Sequence, residues 1–259
     1  MGVYRLVDIH CHILPGIDDG PLNLSGFIEM ANGAVSGGIT HLFATPHHLN
    51  GKYENIKIEI LDRVDEMNRH LQQNNIPLIL HPGQELRIHR ELFKSLELDA
   101  VLTLDNKGTY LLLELPSGEV PKYTREVVYE LLLKGIQPII VHPERNRGIV
   151  ESPNLLFELV QEGALTQITS GSILGHFGRK IKSFSERIIE HQLAHFIATD
   201  AHNTNTRGLF LQNAYEIITK TYGIDRSYYF KENAELLLLG QSPQIEKPTP
   251  IRKKILGIF

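Results

Sequence analysis

Apolar β-type runs recur along the chain, and segments of helical periodicity separate most of them. The runs are YRLVDIH from Tyr4, ITHLFATPHH from Ile39, IPLILHPGQE from Ile76, TYLLLELP from Thr109, IQPIIVHPER from Ile136, ALTQITSG from Ala164 and HFIATDAH from His195, seven in all. Several are apolar almost without a break, as strands covered on both faces are. In ENIKIEILDRVDEMNRHLQ, residues Ile56, Ile60, Val64, Met67 and Leu71 recur at spacings of three and four, which predicts one buried helix face. SPNLLFELVQEG offers Ser152 as a cap, Pro153 at the first helical position and Gly163 as a stop. The pair Gly37–Gly38 predicts the end of the helix before the second strand. Strand–helix alternation repeated this often predicts an α/β fold with a parallel sheet. Seven strands, with no Gly-x-Gly-x-x-Gly after the first, favour a barrel over a dinucleotide-binding sheet. With no internal repeat and no interior linker, residues 1–240 read as one domain and 241–259 as a tail.

Composition narrows the partners more than the fold. The 259 residues are 42% hydrophobic and 22% charged, which are globular values. A net charge of −4 leaves no broad basic field, so a nucleic acid is not an expected partner. The single cysteine, Cys11, permits no intrachain disulfide, which fits a reducing, cytoplasmic setting. Asp8 and His10 stand where a signal peptide would need an apolar core. No apolar run approaches the roughly 20 residues of a membrane helix. The tail, QSPQIEKPTPIRKKILGIF, has three prolines, the basic residues Arg252, Lys253 and Lys254, and then Ile255, Leu256, Ile258 and Phe259. It reads as a strap or disordered end, or else as a docking segment for a protein or an anionic membrane.

The candidate chemistry lies in where the ligand-type residues fall. His10 and His12 end the first run, His47 the second, Glu85 the third, Glu114 the fourth and His142 the fifth. Asp200 and His202 end the last, and Asp19 lies in the first loop. In a parallel barrel the C-terminal strand ends converge on one face, so these nine residues would meet in one pocket. Strand alternation points His10 and His12 one way and Cys11 the other, and treats Asp200 and His202 alike around Ala201. A set of His, Asp and Glu without thiolate suits Mn, Fe, Co or Zn. His41, His70, His89, His176, His191 and His195 show no such placement and read as structural. His81, beside Glu85, is a weaker ligand candidate.

The motifs DIHCHILPGIDDG, ATPHH, GQE, LLLELP, VHPERN, QITSGS and ATDAHN resemble, in order and over nearly the whole chain, the PHP (polymerase and histidinol phosphatase) superfamily. More narrowly, they resemble its bacterial capsule- and exopolysaccharide-associated protein-tyrosine phosphatases, of the CpsB/CapC/YwqE type. The resemblance implies a distorted (β/α)7 barrel holding three divalent metals, usually manganese. It would assign His10, His12, Glu85 and Asp200 to the first ion, and Glu85, Glu114 and His142 to the second. Asp19, His47 and His202 would hold the third. It also places Arg145 and Arg207 over the phosphate, where their planar forks can hold phosphoryl oxygens, and implies a metal-bound hydroxide as nucleophile. The implied partner is a phosphotyrosine protein, a bacterial tyrosine kinase with a flexible tyrosine-rich tail. A membrane would be met only through that kinase or the C-terminal tail.

Rival chemistries lack their signatures. A cysteine phosphatase loop needs Arg six residues after its Cys, and Cys11 is followed there by Ile17. There is no Gly-x-Ser-x-Gly elbow and no Walker loop. Two readings stay beside the first: a small-molecule phosphoesterase such as histidinol phosphatase, and a non-catalytic metal-binding regulator. Tyr53, close after His47 in HHLNGKYEN, is a candidate neighbour for a substrate ring.

Overall fold

The computed structural model describes residues 5–251. Its strands are β1 Leu6–Cys11, β2 Ile39–Ala44, β3 His47–His48, β4 Ile79–Pro82, β5 Glu85–Arg87, β6 Tyr110–Glu114, β7 Gln137–Val141, β8 Leu165–Thr169 and β9 Phe196–Ala198. The helices are α1 Leu24–Ser36, α2 Lys57–Gln73, α3 Leu92–Glu97, α4 Thr124–Leu133, α5 Arg147–Glu151, α6 Asn154–Gln161, α7 Ser170–Leu174, α8 Arg179–Glu190, α9 Leu211–Tyr222 and α10 Ile224–Leu238.

The strands form two sheets, ordered β1-β2-β4 and β3-β5-β6-β7-β8-β9, and every pairing is parallel. The second and third apolar runs, each predicted as one strand, are split in two. Pro46 and Pro82 have no N–H for a ladder. At Gly83 a Cβ would meet Leu104 at 2.7 Å and Thr45 at 2.9 Å, so the backbone approaches its neighbours closely there. The sheets are continuous at one margin, where the chain runs from β2 and β4 into β3 and β5, and they meet at the other. Gly83 N donates to Ala44 O and Glu85 N to Pro46 O, each at 3.0 Å. At the other margin Cys11 bridges to Ala201 just past β9, with Asp200 N on His10 O at 2.8 Å and His12 N on Ala201 O at 2.9 Å.

Strands β6 and β8 bury every residue, and β1 and β7 all but their first, which is why most of their positions are apolar. Leu111, Leu113, Ile140, Ile168 and Ile197 face the core shared with the helices. The alternate residues Leu112, Ile139, Val141, Leu165, Phe196 and Ala198 join Val7, Ile9 and Phe43 in an inner cluster, which Ala234, Leu237 and Leu238 of α10 also enter.

The helix α2 buries Ile60, Val64, Met67 and Leu71 as its periodicity predicts, but Ile56 precedes the helix and is largely exposed. Gly37 and Gly38 end α1, Gly38 with φ +81°. Ser152 does not cap α6: it closes α5, its N–H donating to Gly148 O, and Pro153 stands just before α6.

Residues 241–251 run along the body as a strap. Tyr110 Oη donates to Gln241 O at 3.0 Å, and Asn233 exchanges two hydrogen bonds with the Gln244 backbone. Arg226 pairs with Glu246, Thr249 N donates to His191 O at 2.9 Å, and Ile251 is buried in the main core. The basic residues Arg252, Lys253 and Lys254 and the apolar Ile255, Leu256, Ile258 and Phe259, the part of the tail with docking character, lie outside the described residues. Among the described residues no helix is long and apolar enough to cross a membrane.

Candidate metal centre

The inner row of residues turns polar at the C-terminal strand ends. Leu112 is followed two residues on by Glu114, Leu165 by Gln167, and Ala198 by Asp200. On β1 the register against β2 slips between Asp8 and Cys11. Val7 and Ile9 therefore belong to the inner cluster while Cys11 belongs to the outer core, and His10 and His12 turn toward the site. His142 and Asp200 hold left-handed backbone, φ +38° and +50°, which is uncommon for residues with a side chain and concentrates at functional sites.

Three overlapping groups of ligand atoms result, each drawn together within 4.8 Å. In the first, His10 Nε2 and His12 Nε2 are 3.2 Å apart. Glu85 Oε2 lies 3.5 and 3.2 Å from them, and Asp200 Oδ1 3.6 and 3.4 Å. The second joins His47, Glu85 and Glu114, with His47 Nδ1 at 2.8 Å from Glu85 Oε2. The third joins His12, Asp19, His47 and His202; Asp19 Oδ1 is 3.4 Å from His47 Nε2 and 3.2 Å from His202 Nε2. The first group has the membership implied by the resemblance. The other two are drawn differently: His47 takes the place given to His142, which instead contacts Glu85 Oε1 at 2.8 Å, and His12 adds to the third. Asp200 and His202 both reach the cluster, in groups that share His12, with His202 Nδ1 at 3.8 Å from Asp200 Oδ1. His81 lies apart, 2.9 Å from His41 and 3.6 Å from Asp105.

The residues fit a cation. His10 Nδ1 faces Gln167 Oε1 at 2.9 Å and His12 Nδ1 faces Asp18 Oδ2 at 2.7 Å. Those oxygens only accept, so each Nδ1 carries a hydrogen, and Nε2 is the nitrogen each ring can offer to a cation once it gives up any proton. Two imidazole nitrogens and two carboxylate oxygens thus converge on one point. Ligand atoms about 2.1 Å from one ion stand roughly 3.0–3.4 Å apart, close to the 3.2–3.6 Å of the first group. Glu85 Oε2 and His202 Nε2 are buried and contact other ligand atoms of the cluster without a well-formed hydrogen bond.

Charge is tightly coupled in this cluster. Burial would raise the Glu85 carboxyl, but His10 and His47 hold it well below the usual range. Asp200 is likewise held low, against burial, chiefly by Arg145. Glu114 is raised by burial and by the charge of Glu85. Burial lowers His202 to about 4, helped by His12. Burial and Arg145 lower His142 to about 4. His12 is pulled down by burial but held well above its usual value by Asp18, Asp200 and Glu85.

A cavity of about 300 Å³ opens above the cluster, lined by His47, Glu114, His142, Arg145, Asp200 and Arg207 among others. Both arginines pair with the acids beneath them. Arg145 bonds Asp200, and Arg207 reaches both Asp200 and Asp19. Their Nε atoms are buried without a partner, and Arg145 stacks on Phe177 at 5.1 Å. Tyr53 lies parallel to His47, ring centres 6.1 Å apart. Cys11 is fully buried, its thiol 3.5 Å from Ala201 O and pushed up by burial.

Three residues at the site escape the sequence reading. Asp18 and Gln167 stand behind His12 and His10, and Arg87 Nε lies 2.9 Å from Glu114 Oε2. The first two sit inside the motifs DDG and QITSGS, and Arg87 two residues past Glu85, but residue type alone does not tell a ligand from its support.

The model of the family described as capsular polysaccharide synthesis, CpsB/CapC, matches residues 6–239. The chain belongs to the CpsB/CapC family. Among its relatives, tyrosine-protein phosphatase YwqE of Bacillus subtilis is 46% identical over 255 residues, covering 98% of this chain and 100% of that one. Tyrosine-protein phosphatase CpsB of Streptococcus agalactiae is 29% identical over 239 residues, 90% of this chain and 98% of that one. A crystal structure from a study of YwqE and Streptococcus pneumoniae CpsB, described as metal-dependent tyrosine phosphatases, superposes with a TM-score of 0.93. It is 45% identical and covers 96% of this chain and 100% of that chain.

Proposed function

We infer that the protein is a metal-dependent protein-tyrosine phosphatase. The observation that carries this is the buried cluster of histidine and carboxylate ligand atoms under an arginine-lined pocket, in a chain alike over 98% of its length to a tyrosine-protein phosphatase. The two sheets, continuous at one margin and meeting at the other, read as a distorted, closed (β/α)7 barrel with the site at its C-terminal mouth.

In this reading His10, His12, Asp19, His47, Glu85, Glu114, His142, Asp200 and His202 hold three divalent ions, manganese being the preferred metal. Bound there, the ions supply Lewis acidity and an activated water at neutral pH. Asp19, Glu85, Glu114 and Asp200 offset about four of six positive charges, so the pocket attracts a phosphate dianion. Arg145 and Arg207 turn their free N–H groups to the phosphoryl oxygens and stabilise charge as the bond to tyrosine breaks. Tyr53 flanks the entering ring. Cys11, out of reach and protonated, takes no part.

The substrate we place here is phosphotyrosine on a tyrosine kinase of capsule or exopolysaccharide synthesis, met in the cytoplasm. Side-by-side kinetics with Mn²⁺ test it. The kcat/KM for a phosphotyrosine peptide should exceed that for histidinol phosphate by at least about a hundredfold, or about 2.7 kcal/mol. Equal or better turnover of histidinol phosphate would make it a small-molecule phosphatase instead.

A further inference from the structure

We propose that Asp18 and Gln167 are positioning residues that hold His12 and His10 with their Nε2 atoms aimed into the metal centre. The proposal rests on the metal-centre reading above and concerns residues outside its ligand set. An imidazole can offer either nitrogen, and what its other nitrogen touches decides which. Asp18 Oδ2 takes the His12 Nδ1 hydrogen at 2.7 Å. Gln167 Oε1 takes that of His10 at 2.9 Å. The carbonyl of Asp200 does the same for His202 Nδ1 at 2.9 Å. Three imidazoles are thus locked by three oxygens that can only accept.

Asp18 is built into this place. Its Oδ1 accepts from Gly20 N at 2.9 Å, and its Oδ2 also from His47 N at 3.2 Å. The loop Asp18–Asp19–Gly20 closes tightly on β1: a Cβ at Gly20 would come within 2.1 Å of His12 O, so no other residue fits without moving the backbone. The two adjacent acids therefore divide the work. Asp19 faces the third ligand group, while Asp18 stands behind His12. Gln167 is fully buried on β8, and its Nε2 has no partner, so its contact with His10 is the one its side chain makes. A carboxylate also raises the basicity of the ring it holds, which an amide does less. Asp18 should accordingly matter more than Gln167.

The test uses full-length, metal-stripped protein with Zn²⁺ as the probe, read by calorimetry and by ¹⁵N spectra of the imidazoles. Asp18→Asn should weaken binding of at least one ion by about ten- to a hundredfold, because the amide can donate to Nδ1 and reverse the ring. Gln167→Leu should lose about tenfold, and Gln167→Glu, which keeps an acceptor, should stay within about threefold of wild type. In the Zn²⁺-loaded wild type, His10 and His12 should carry hydrogen on Nδ1, and His12 should lose that signature in Asp18→Asn. If Asp18→Asn fails to fold, the Gln167 pair decides. Wild-type affinity and unchanged δ-protonation in the variants would overturn the positioning role, as would equal losses in Gln167→Leu and Gln167→Glu. Folded wild type that binds no Zn²⁺ would overturn the metal centre itself.

Discussion

Arg207 Nη2 stands 3.2 and 3.3 Å from the two carboxylate oxygens of Asp200, the carboxylate that Arg145 also bonds. Asp200 therefore joins the two guanidiniums to the His10 and His12 group below. Arg145→Ala and Arg207→Ala should each lower kcat/KM by about ten- to a thousandfold, as loss of a charge-assisted contact to phosphate does. Metal content, measured by elemental analysis, should stay at the wild-type level, since neither residue is a ligand. Loss of metal from a folded variant would show instead that the arginine serves only to hold Asp200.

Cys11 lends itself to a negative expectation. Its thiol is buried in the outer core and points away from His10 and His12. Serine can keep the contact with Ala201 O. Cys11→Ser should retain most activity and all metal, with a small stability cost of about 1 kcal/mol. A loss beyond about a hundredfold, roughly 2.7 kcal/mol, in a folded and metal-replete variant would argue for a catalytic thiol.

Much of this placement was legible from residue types and alternation. His10 and His12 share a side because a single residue, Cys11, stands between them in extended chain. The convergence of Glu114 and His142 follows from parallel strands ending on one face, and Glu85 joins them from the break that opens β5. What was not legible depends on backbone that departs from a regular strand. The left-handed backbone at His142 and Asp200 is one such departure. Pro46 and Pro82 break two runs, and the slip in β1 decides which of its residues turn inward. Asp18 and Asp19 are the same residue type side by side, and only the closed loop shows that one stands behind His12 and the other before the site. The pairing of Arg145 and Arg207 with Asp200 required side-chain positions that no spacing encodes. Ser152 failed as a cap because α5, too short for a periodic signal, already ended there.

Acid should weaken the fold through His195. This ring is buried, its Nδ1 accepting from Thr166 N at 3.1 Å, and burial lowers it to about 4. The unfolded chain takes up that proton near pH 6.5 and the folded one only near 4. The group's full stability is thus present above pH 6.5 and is lost as pH falls toward 4, by up to about 1.4 kcal/mol per pH unit. His195→Asn retains an acceptor but no titration, so its stability should fall less between pH 7 and 5 in urea denaturation. Identical pH dependence in the two proteins would refute the assignment.

The strap divides the tail at Ile251. Deleting residues 252–259 should leave hydrolysis of a small aryl phosphate nearly unchanged. Deleting 241–259 also exposes the site of Ile251, worth about 1.5–3 kcal/mol, and removes the hydrogen bonds on Asn233, Tyr110 and His191. Its Tm should fall by at least about 5 °C. Equal melting temperatures for the two truncations would mean that residues 241–251 do not brace the body.

The most direct measurement is phosphotyrosine-peptide hydrolysis against metal content. Exhaustive chelation should abolish turnover, and Mn²⁺ should restore it better than other divalent ions. Glu85→Gln, which removes a charge from two ligand groups at once, should cost more activity than replacing any one histidine. Full turnover by folded protein in which elemental analysis finds no metal would contradict the account.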